Sequence, residues 1–306
     1  MAIILITGSS TGIGYATAET FARNGHTVYA TMRNPQSFPQ LRQHANDDRL
    51  PITILPMDVL DDQSVQNAFD FVFSKEDGID VLVNNAGIAS WGAVEELPLE
   101  LFKADMDTNY FGTLRCIKAV LPSMRKRKAG RIINISTVAA KVFSNFHGAY
   151  CASKAALEAV SESLAQELVP YNIQISLVEP AFIETSIFSK INEIPSRTHY
   201  PNVKRYLSLF AAALENHESA SKVADVINDV LSGRQSDFRI LVGLYAEGFL
   251  KYRESMRDKD WINSVSVSDE DWINNMEQMG LKVRKYMQAE GLPQFNHKIK
   301  EYGVVS

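Results

Sequence analysis

The chain has 306 residues, 45% of them hydrophobic, and a formal net charge of −5. This composition is typical of a globular protein with a sizeable core, and the absence of a long basic block argues against binding to nucleic acid. Two cysteines make neither a disulfide framework nor a metal site, and no apolar run is long enough to span a membrane. We therefore expect a cytoplasmic protein that binds no metal, membrane or nucleic acid.

The first predicted strand covers residues 2–6, a continuous apolar run of the kind found in parallel strands that are buried on both faces. A glycine-rich turn that contains Gly8, Gly12 and Gly14 follows, and then a helix to about residue 25. A strand, a glycine-rich turn and a helix present backbone N–H groups and a positive helix end to a phosphate. Gly8 permits the tight turn, Gly12 lets a pyrophosphate approach the backbone, and Gly14 lets the helix pack against the strand.

Six further strands are predicted, at residues 26–32, 52–55, 79–83, 131–135, 173–178 and 238–242. Between them we expect a helix that Asp61 caps and that runs to about residue 76, one long helix over about 101–128, and one from Tyr150 to about residue 169. The alternation predicts an α/β fold with a doubly wound, seven-stranded parallel sheet. Ligands of such sheets bind beyond the carboxyl ends of the strands. The polar candidates that fall there are Gly8 to Gly14, Arg33, Asp58, Asn85, Ser136 and Thr185.

Tyr150 and Lys154 are four residues apart, so they lie on one face of a helix. A nearby ammonium favours the phenolate and lowers the pKa of the phenol, which makes it a proton donor and acceptor near neutral pH. The alternative is a surface helix that carries both residues by chance.

Several motifs in matching order resemble the short-chain dehydrogenase/reductase family. They are Thr7-Gly-Ser-Ser-Thr-Gly12-Ile-Gly14, Asn84-Asn-Ala-Gly87, Asn109, Ser136 and Tyr150-Cys-Ala-Ser-Lys154. The resemblance covers residues 1 to about 250. It implies a single Rossmann domain over residues 1–306, with a helical C-terminal extension from about residue 245. The stretch from Val28 to Arg33 resembles the branch that contains 17β-hydroxysteroid and retinol dehydrogenases.

By this resemblance Tyr150 is the general acid/base, and Lys154 lowers its pKa and holds the nicotinamide ribose. Ser136 contacts the substrate oxygen, and Asn109 holds a proton-relay water. In isolation, Ser136 also fits a strand-end cap, Asn109 a helix-kink residue and Asp58 a turn cap. The implied cofactor-binding residues are Gly8, Ser10, Thr11, Gly12, Ile13, Gly14, Arg33, Asp58, Val59, Asn85, Ala86, Gly87, Tyr150, Lys154, Pro180, Ile183 and Thr185.

The end of the second strand decides which cofactor is expected. An NAD enzyme of this fold places an acid there, whereas this chain has Met32 followed by Arg33, a planar cation suited to a 2′-phosphate. Ser10 adds a hydroxyl donor. We therefore expect NADP rather than NAD, unless Arg33 only caps the strand or pairs with a surface acid.

The turn after the sixth strand departs from the family pattern, because Pro180-Ala181 stands where Pro-Gly is common. Alanine does not freely adopt positive φ, so a turn that needs it would reshape the nicotinamide pocket. Ile183 and Thr185 still match positions that meet the carboxamide.

The region that follows is long and apolar, and in the family it covers the substrate. It contains Phe182, Ile187, Phe188, Ile191, Ile194, Tyr200, Tyr206, Leu207, Leu209 and Phe210. We expect a small hydrophobic substrate that contacts Ser136, Tyr150, Phe182 and Phe188, although plain core packing of a helix over 203–215 explains the same pattern. His147 either faces this pocket or lies in a loop.

The last part of the chain is less informative. The stretch Ser268-Asp-Glu-Asp271 predicts a capped helix, and the tail that carries it packs on the substrate mouth, on a partner subunit or on nothing.

The sequence thus predicts an NADP-dependent oxidoreductase that interconverts an alcohol and a ketone or aldehyde on a hydrophobic substrate. The alternatives are a reductase of a polar carbonyl, such as a sugar or acyl thioester, and a non-catalytic NADP-binding sensor. Analogy with the family predicts a homodimer or homotetramer.

Overall fold

The computed structural model describes residues 1–188 and 198–293. Seven parallel strands form one sheet in the order β3-β2-β1-β4-β5-β6-β7. The strands are β1 (Ile3–Ile6), β2 (Thr27–Met32), β3 (Ile52–Pro56), β4 (Val81–Asn84), β5 (Gly130–Ile135), β6 (Ile173–Pro180) and β7 (Arg239–Val242). The predicted seven-stranded parallel sheet is confirmed.

Helices flank the sheet on both faces. They are α1 (Gly12–Arg23), α2 (Gln40–Asp47), α3 (Asp62–Phe73), α4 (Leu99–Met106), α5 (Thr113–Arg127), α6 (Gly148–Leu168), α7 (Val203–Glu215), α8 (Ala220–Leu231), α9 (Ala246–Glu254), α10 (Asp258–Asn263), α11 (Asp269–Gln278) and α12 (Arg284–Gln288). The carboxylate of Asp61 accepts the Ser64 N–H at 2.8 Å, so the predicted cap of α3 is confirmed. That helix ends at Phe73, before the predicted residue 76.

Strand β1 shows why the first apolar run is continuous. Ile4 and Ile6 pack on one side of the sheet with Phe21 of α1 and Ile227 of α8. Leu5 points to the other side, into the layer formed with α3 and α5. Successive side chains of a strand face opposite ways, so a strand covered on both faces is apolar at every position.

The strand order reverses at β1, which pairs with both β2 and β4. Ligands of open α/β sheets bind at such a switch point, outside the carboxyl ends of the strands. The glycine-rich turn after β1 and the Asn84-Asn-Ala-Gly87 segment after β4 therefore lie beside each other.

The predicted long helix over 101–128 is wrong as a single α-helix. A π-helical segment, Asp107–Gly112, separates α4 from α5. Within it, the amide side chain of Asn109 bonds both the N–H and the carbonyl of Ile88, at 2.9 Å each. These contacts with a distant loop hold the widened turn, and π-helical segments are frequent at functional sites.

The C-terminal extension begins at α9 and covers the mouth of the ligand cavity. Ile273 and Met276 of α11 pack with Ala212 and Ala213 of α7. The Ser268 hydroxyl accepts the Asp271 N–H at 3.1 Å, which confirms the predicted cap of α11. Residues of this extension, among them Phe249, Trp261 and Met276, line the cavity beyond the strand ends, as the placement on the substrate mouth predicts. No helix within residues 1–188 or 198–293 combines the length and apolar character needed to cross a bilayer.

Candidate active site

A cavity of about 1560 Å³ lies beyond the carboxyl ends of the strands. Typical small-molecule pockets measure about 300–1000 Å³, so there is room for a cofactor and a substrate together. Every residue predicted to bind the cofactor lines this cavity, except Gly14. All four residues predicted to contact the substrate also line it.

The glycine-rich turn has a backbone shape that favours glycine. Gly8 and Gly12 have φ angles of +68° and +59°, in the left-handed region. A Cβ on Gly14 would lie 2.4 Å from the carbonyl oxygen of Gly8, so Gly14 acts by close packing behind the cavity.

The N-terminus of α1 is open to a ligand. Thr11 precedes the helix, but its side chain does not cap the helix and pairs instead with the hydroxyl of Ser186 at 2.9 Å. The first N–H groups of α1 have no side-chain partner from that cap, and the cavity reaches Gly12 and Ile13. A phosphate group fits such a helix end.

Asn85 supports this turn from the neighbouring strand. Its side-chain amide donates to the carbonyls of Thr7 and Gly8 at 3.0 and 2.9 Å. The Thr7 hydroxyl in turn accepts the N–H groups of Asn85 and Ala86, at 3.0 and 2.9 Å. The Asn-Asn-Ala-Gly segment therefore ties the ends of β1 and β4 together at the cavity.

Arg33 is exposed where the cavity passes the end of β2. No acidic side chain in the described ranges makes an ion pair with it, so the surface pairing considered from sequence is not found there. Asp58 lies at the end of β3 and accepts the Leu60 N–H at 3.0 Å. It does cap a turn, yet it still lines the cavity beside Val59.

Tyr150 and Lys154 project from α6 and are both buried. The Lys154 ammonium donates to the carbonyl of Ile135 at 2.8 Å and lies 5.9 Å from the centre of the Tyr150 ring. Burial lowers the pKa of Lys154 to about 8. Burial also raises the pKa of Tyr150, with smaller contributions from Cys151 and Asp105. This direction is opposite to the lowering that the tyrosine–lysine spacing suggested, because desolvation disfavours the charged phenolate.

Among the causes that set the pKa of Tyr150, a side-chain hydrogen bond with Thr137 acts to lower it. Ser136 is differently engaged, because its hydroxyl donates to the buried carboxylate of Glu158 at 2.6 Å. Sequence reasoning missed Thr137. Two adjacent hydroxyl residues follow β5, and side chains on extended backbone alternate in direction, but the sequence does not say which one faces Tyr150.

The side chain of Asn109 is fully buried and does not line the cavity. Besides its two bonds with Ile88, it donates to the hydroxyl of Ser153 at 2.9 Å. Ser153 precedes Lys154, so Asn109 ties the π-helical segment to α6. The helix-kink role considered from sequence is present in the structure.

The far wall of the cavity is aromatic. Phe182 and Phe188 line it as predicted, together with Tyr206, Leu209 and Phe210. Helix α7 was considered from sequence either as a substrate cover or as plain core packing. It fits both, because Tyr206 and Phe210 are buried in an aromatic cluster that also faces the cavity. Tyr200 instead is exposed and donates to Glu95 at 2.6 Å. Ile191 and Ile194 lie outside the described residues.

His147 lies in this wall and not in an exposed loop. Its ring stacks between Trp91, with centroids 4.1 Å apart, and Tyr150, at 4.7 Å. Burial lowers its pKa to about 3, so the imidazole is neutral at physiological pH. Trp91 was not predicted from sequence, because no periodicity or motif marks it.

Ala181 fits its turn without strain. The non-glycine residues with positive φ in the described part of the chain are Arg49, Lys128, Phe146 and Asn172. The Ala181 N–H donates to the carbonyl of Val242 at 2.9 Å. The turn after β6 therefore does not need the glycine that is common in the family.

The sheet is parallel and doubly wound, and one cavity contains both an open helix N-terminus at a glycine-rich turn and a buried tyrosine–lysine pair. Together these features define the fold and site of a nucleotide-dependent oxidoreductase. A family model described as short chain dehydrogenase matches residues 2–195, more than half of the chain. The chain belongs to this family, and it is an NAD(P)-dependent dehydrogenase or reductase.

Individual relatives agree with this assignment. A 3-ketodihydrosphingosine reductase from Bacteroides thetaiotaomicron is 34% identical over 245 residues, which cover 79% of this chain and 87% of the relative. Retinol dehydrogenase 8 from Bos taurus is 39% identical over 202 residues, 65% of this chain and 64% of that protein. The crystal structure of a short-chain dehydrogenase from Streptomyces avermitilis matches with a TM-score of 0.74 at 28% identity, over 92% of this chain and 98% of that one.

Proposed function

We propose that this chain is an NADP-dependent oxidoreductase that interconverts an alcohol and a ketone or aldehyde on a hydrophobic substrate. One observation carries the proposal: Tyr150, Thr137 and Lys154 meet at an aromatic-walled end of a cavity whose other end holds Arg33. The cavity therefore combines a proton donor, a hydroxyl donor and a phosphate-binding cation.

When bound, the nicotinamide supplies or accepts the hydride. In the reducing direction Tyr150 donates its proton to the substrate oxygen, and its raised pKa keeps it protonated for that step. The Thr137 hydroxyl, which donates to the Pro180 carbonyl at 3.2 Å in the structure, turns to donate a second hydrogen bond to the same substrate oxygen, where negative charge develops. In this proposal Thr137 takes the role that the sequence suggested for Ser136.

Lys154 stabilises the phenolate that forms when Tyr150 loses its proton, and it binds the nicotinamide ribose. Its ammonium already lies near the phenol and is fixed by the Ile135 carbonyl. Asn109 positions α6 through its hydrogen bond with Ser153. We also propose that it holds the water through which the proton of Tyr150 is replaced.

NADP is favoured by Arg33 and by the apolar residue before it. Met32 offers no acceptor for the ribose hydroxyls that NAD presents, and Arg33 lines the cavity with no ion-pair partner among the described residues. A guanidinium matches a 2′-phosphate in charge and geometry. Ser10 lines the same end of the cavity.

Further parts of the proposal concern the substrate, the direction of the reaction and the cellular location. The aromatic wall favours an apolar substrate, and one relative is named as a reductase while another is named as a dehydrogenase, so both directions stay open. Free, buried Cys116 and Cys151 suit a reducing, cytoplasmic location. We also propose a single domain over residues 1–306 and a homo-oligomeric assembly.

The test is a titration of the purified protein with NADPH and NADH, followed by turnover on a panel of hydrophobic and polar carbonyl compounds. We expect tighter binding of NADPH and turnover of hydrophobic ketones or aldehydes that Tyr150→Phe abolishes. Tighter binding of NADH, or good turnover on small polar carbonyls alone, would contradict the proposal.

A further inference from the structure

Seven buried side-chain polar atoms in the described part of the chain have no hydrogen-bond partner. Three of them lie in the aromatic wall of the cavity: the indole Nε1 of Trp91, the imidazole Nε2 of His147 and the hydroxyl of Tyr206. Each of these residues is at most 5% exposed. Nearly half of the unpartnered atoms therefore belong to one small region beside Tyr150.

The three residues form one contiguous group, which we name the polar aromatic cluster. His147 stacks on Trp91 with an interplanar angle of 14° and on Tyr150 with an angle of 17°. The Tyr206 ring lies 6.4 Å from His147 and 6.3 Å from Trp91, measured between centroids. The imidazole thus connects the cluster directly to the phenol that we propose as the general acid.

Unpartnered polar atoms are costly inside a protein, and native structures contain few of them unless a ligand or water completes their bonds. Binding pockets are mostly apolar, with a few placed polar groups that fix the orientation of the ligand. Three such groups, set in an otherwise apolar wall beside the reacting centre, match that pattern. The three residues line the cavity, although the three atoms themselves are buried, so the subsite proposed below requires these side chains to turn toward a bound ligand.

The chemistry of the cluster restricts the ligand group. Trp91 only donates, Tyr206 donates or accepts, and a neutral imidazole offers one donor and one acceptor. His147 is uncharged because burial lowers its pKa to about 3, and burial raises the pKa of Tyr206. A neutral set of donors and acceptors suits a hydroxyl or carbonyl group and gives no charge to attract a carboxylate or phosphate.

We propose that the polar aromatic cluster is a substrate subsite for a second neutral hydrogen-bonding group, a hydroxyl or carbonyl, on a carbon close to the reacting carbonyl of an otherwise apolar molecule. The closeness follows from the stacking of His147 on Tyr150, whose ring centres are 4.7 Å apart. The inference rests on the proposed function, because it deepens the substrate class of the same site.

Three ketones of equal chain length test the subsite: 2-decanone, 1-hydroxy-2-decanone and 4-hydroxy-2-decanone, each reduced with NADPH. At least one hydroxyketone should have a kcat/KM about tenfold above that of 2-decanone, since a site built for a polar group discriminates against the analogue that lacks it. His147→Phe keeps a stacked ring without nitrogen atoms, and Tyr206→Phe removes only a hydroxyl. Both should bring the ratio of hydroxyketone to ketone toward one.

Tyr252→Phe is the matched control, because it removes a hydroxyl from the same cavity outside the cluster. Its ratio should stay within about twofold of the unsubstituted protein. Equal kcat/KM for all three ketones, or a preference that survives both cluster variants, overturns the subsite but leaves the oxidoreductase intact.

A binding measurement separates the subsite from the proposed reaction. Calorimetry with decane-1,2-diol and 2-decanol, in the presence of NADPH so that neither alcohol is oxidised, should show tighter binding of the diol and loss of this preference in His147→Phe. If no ketone is turned over but the diol preference and its loss are observed, the proposed function fails and the subsite stands. No preference for the diol overturns the subsite.

Discussion

Replacing each of the two adjacent hydroxyls in turn tests which one serves the substrate oxygen. Thr137→Val keeps the branched shape and removes the hydroxyl that acts to lower the pKa of Tyr150. Removal of one donor to a developing oxyanion costs about 10²–10³-fold in kcat. We therefore expect this loss in kcat for Thr137→Val, whereas the affinity for NADPH, which is bound elsewhere in the cavity, should change little.

Ser136→Ala should behave differently, because its hydroxyl donates to Glu158 and not toward Tyr150. The substitution leaves one oxygen of a buried carboxylate without that donor, which costs about 1–3 kcal/mol of unfolding free energy. Arg239 still pairs with Glu158, so the loss should lie at the low end of this range. We expect a lower melting temperature and a kcat within about tenfold of the unsubstituted protein.

The assay is steady-state reduction of a hydrophobic ketone, with thermal unfolding of each variant in parallel. Thr137 also donates to the Pro180 carbonyl at 3.2 Å and accepts the Ala139 N–H at 3.2 Å, so its loss affects the local backbone. Thr137→Ser retains the hydroxyl and serves as the control, which should recover most of the activity. A kcat that falls about 10²-fold in Ser136→Ala and remains high in Thr137→Val would refute this reasoning.

Four other substitutions probe the remaining parts of the site. Tyr150→Phe keeps the ring but removes the proton, so turnover should fall about 10²-fold or more while the Kd for NADPH, measured by fluorescence titration, stays nearly unchanged; near-normal turnover would rule out its role as the acid. Arg33→Ala should weaken NADPH binding about 10–100-fold, which is the effect of losing one charge-assisted contact of roughly 1.5–3 kcal/mol, and should leave NADH binding unchanged. Met32→Asp should shift the preference toward NADH. Equal effects of Arg33→Ala on both cofactors would contradict a contact with the 2′-phosphate. The pKa of Lys154 is lowered to about 8 in the folded chain. Well below pH 8 the lysine is protonated in both the folded and the unfolded state, and above pH 8 the folded state releases the proton first. The free energy of unfolding should therefore rise from about pH 8 to 10. Urea unfolding at several pH values should show this rise in the unsubstituted protein but not in Lys154→Met. If the free energy of unfolding depends on pH in the same way in both proteins, burial does not lower the pKa of Lys154.

The sheet could be predicted from sequence because its strands are marked locally. Strand β4 is buried along its whole length, and its first three residues are apolar. Asp61 marks the start of α3 by a preference that depends only on nearby backbone N–H groups. The glycine-rich turn was also readable, since left-handed φ at Gly8 and Gly12 restricts the residue type.

The parts that sequence reasoning missed depend on contacts across the fold. The π-helical segment is held by a bond from Asn109 to Ile88, which is far away in the chain, and nothing within the helix indicates it. The pKa of Tyr150 depends on how completely α6 is covered, and the tyrosine–lysine spacing carries no information on burial. Trp91 belongs to the aromatic wall of the cavity because His147, just before α6, and Phe210 of α7 pack against it.

The charged groups behind Ser136 explain why two adjacent hydroxyls serve different purposes. Glu158 and Glu179 are both buried, and Arg239 binds both of them from β7. Ser136 supplies one further hydrogen bond to Glu158, which a buried carboxylate needs because water is excluded. If the Ser136 hydroxyl turned toward the cavity, the Glu158 Oε1 atom would lose its hydrogen bond beside a second buried acid, Glu179. Burial of this charge cluster therefore holds the Ser136 hydroxyl toward Glu158, and for this reason we propose that the next hydroxyl, that of Thr137, serves the reacting oxygen.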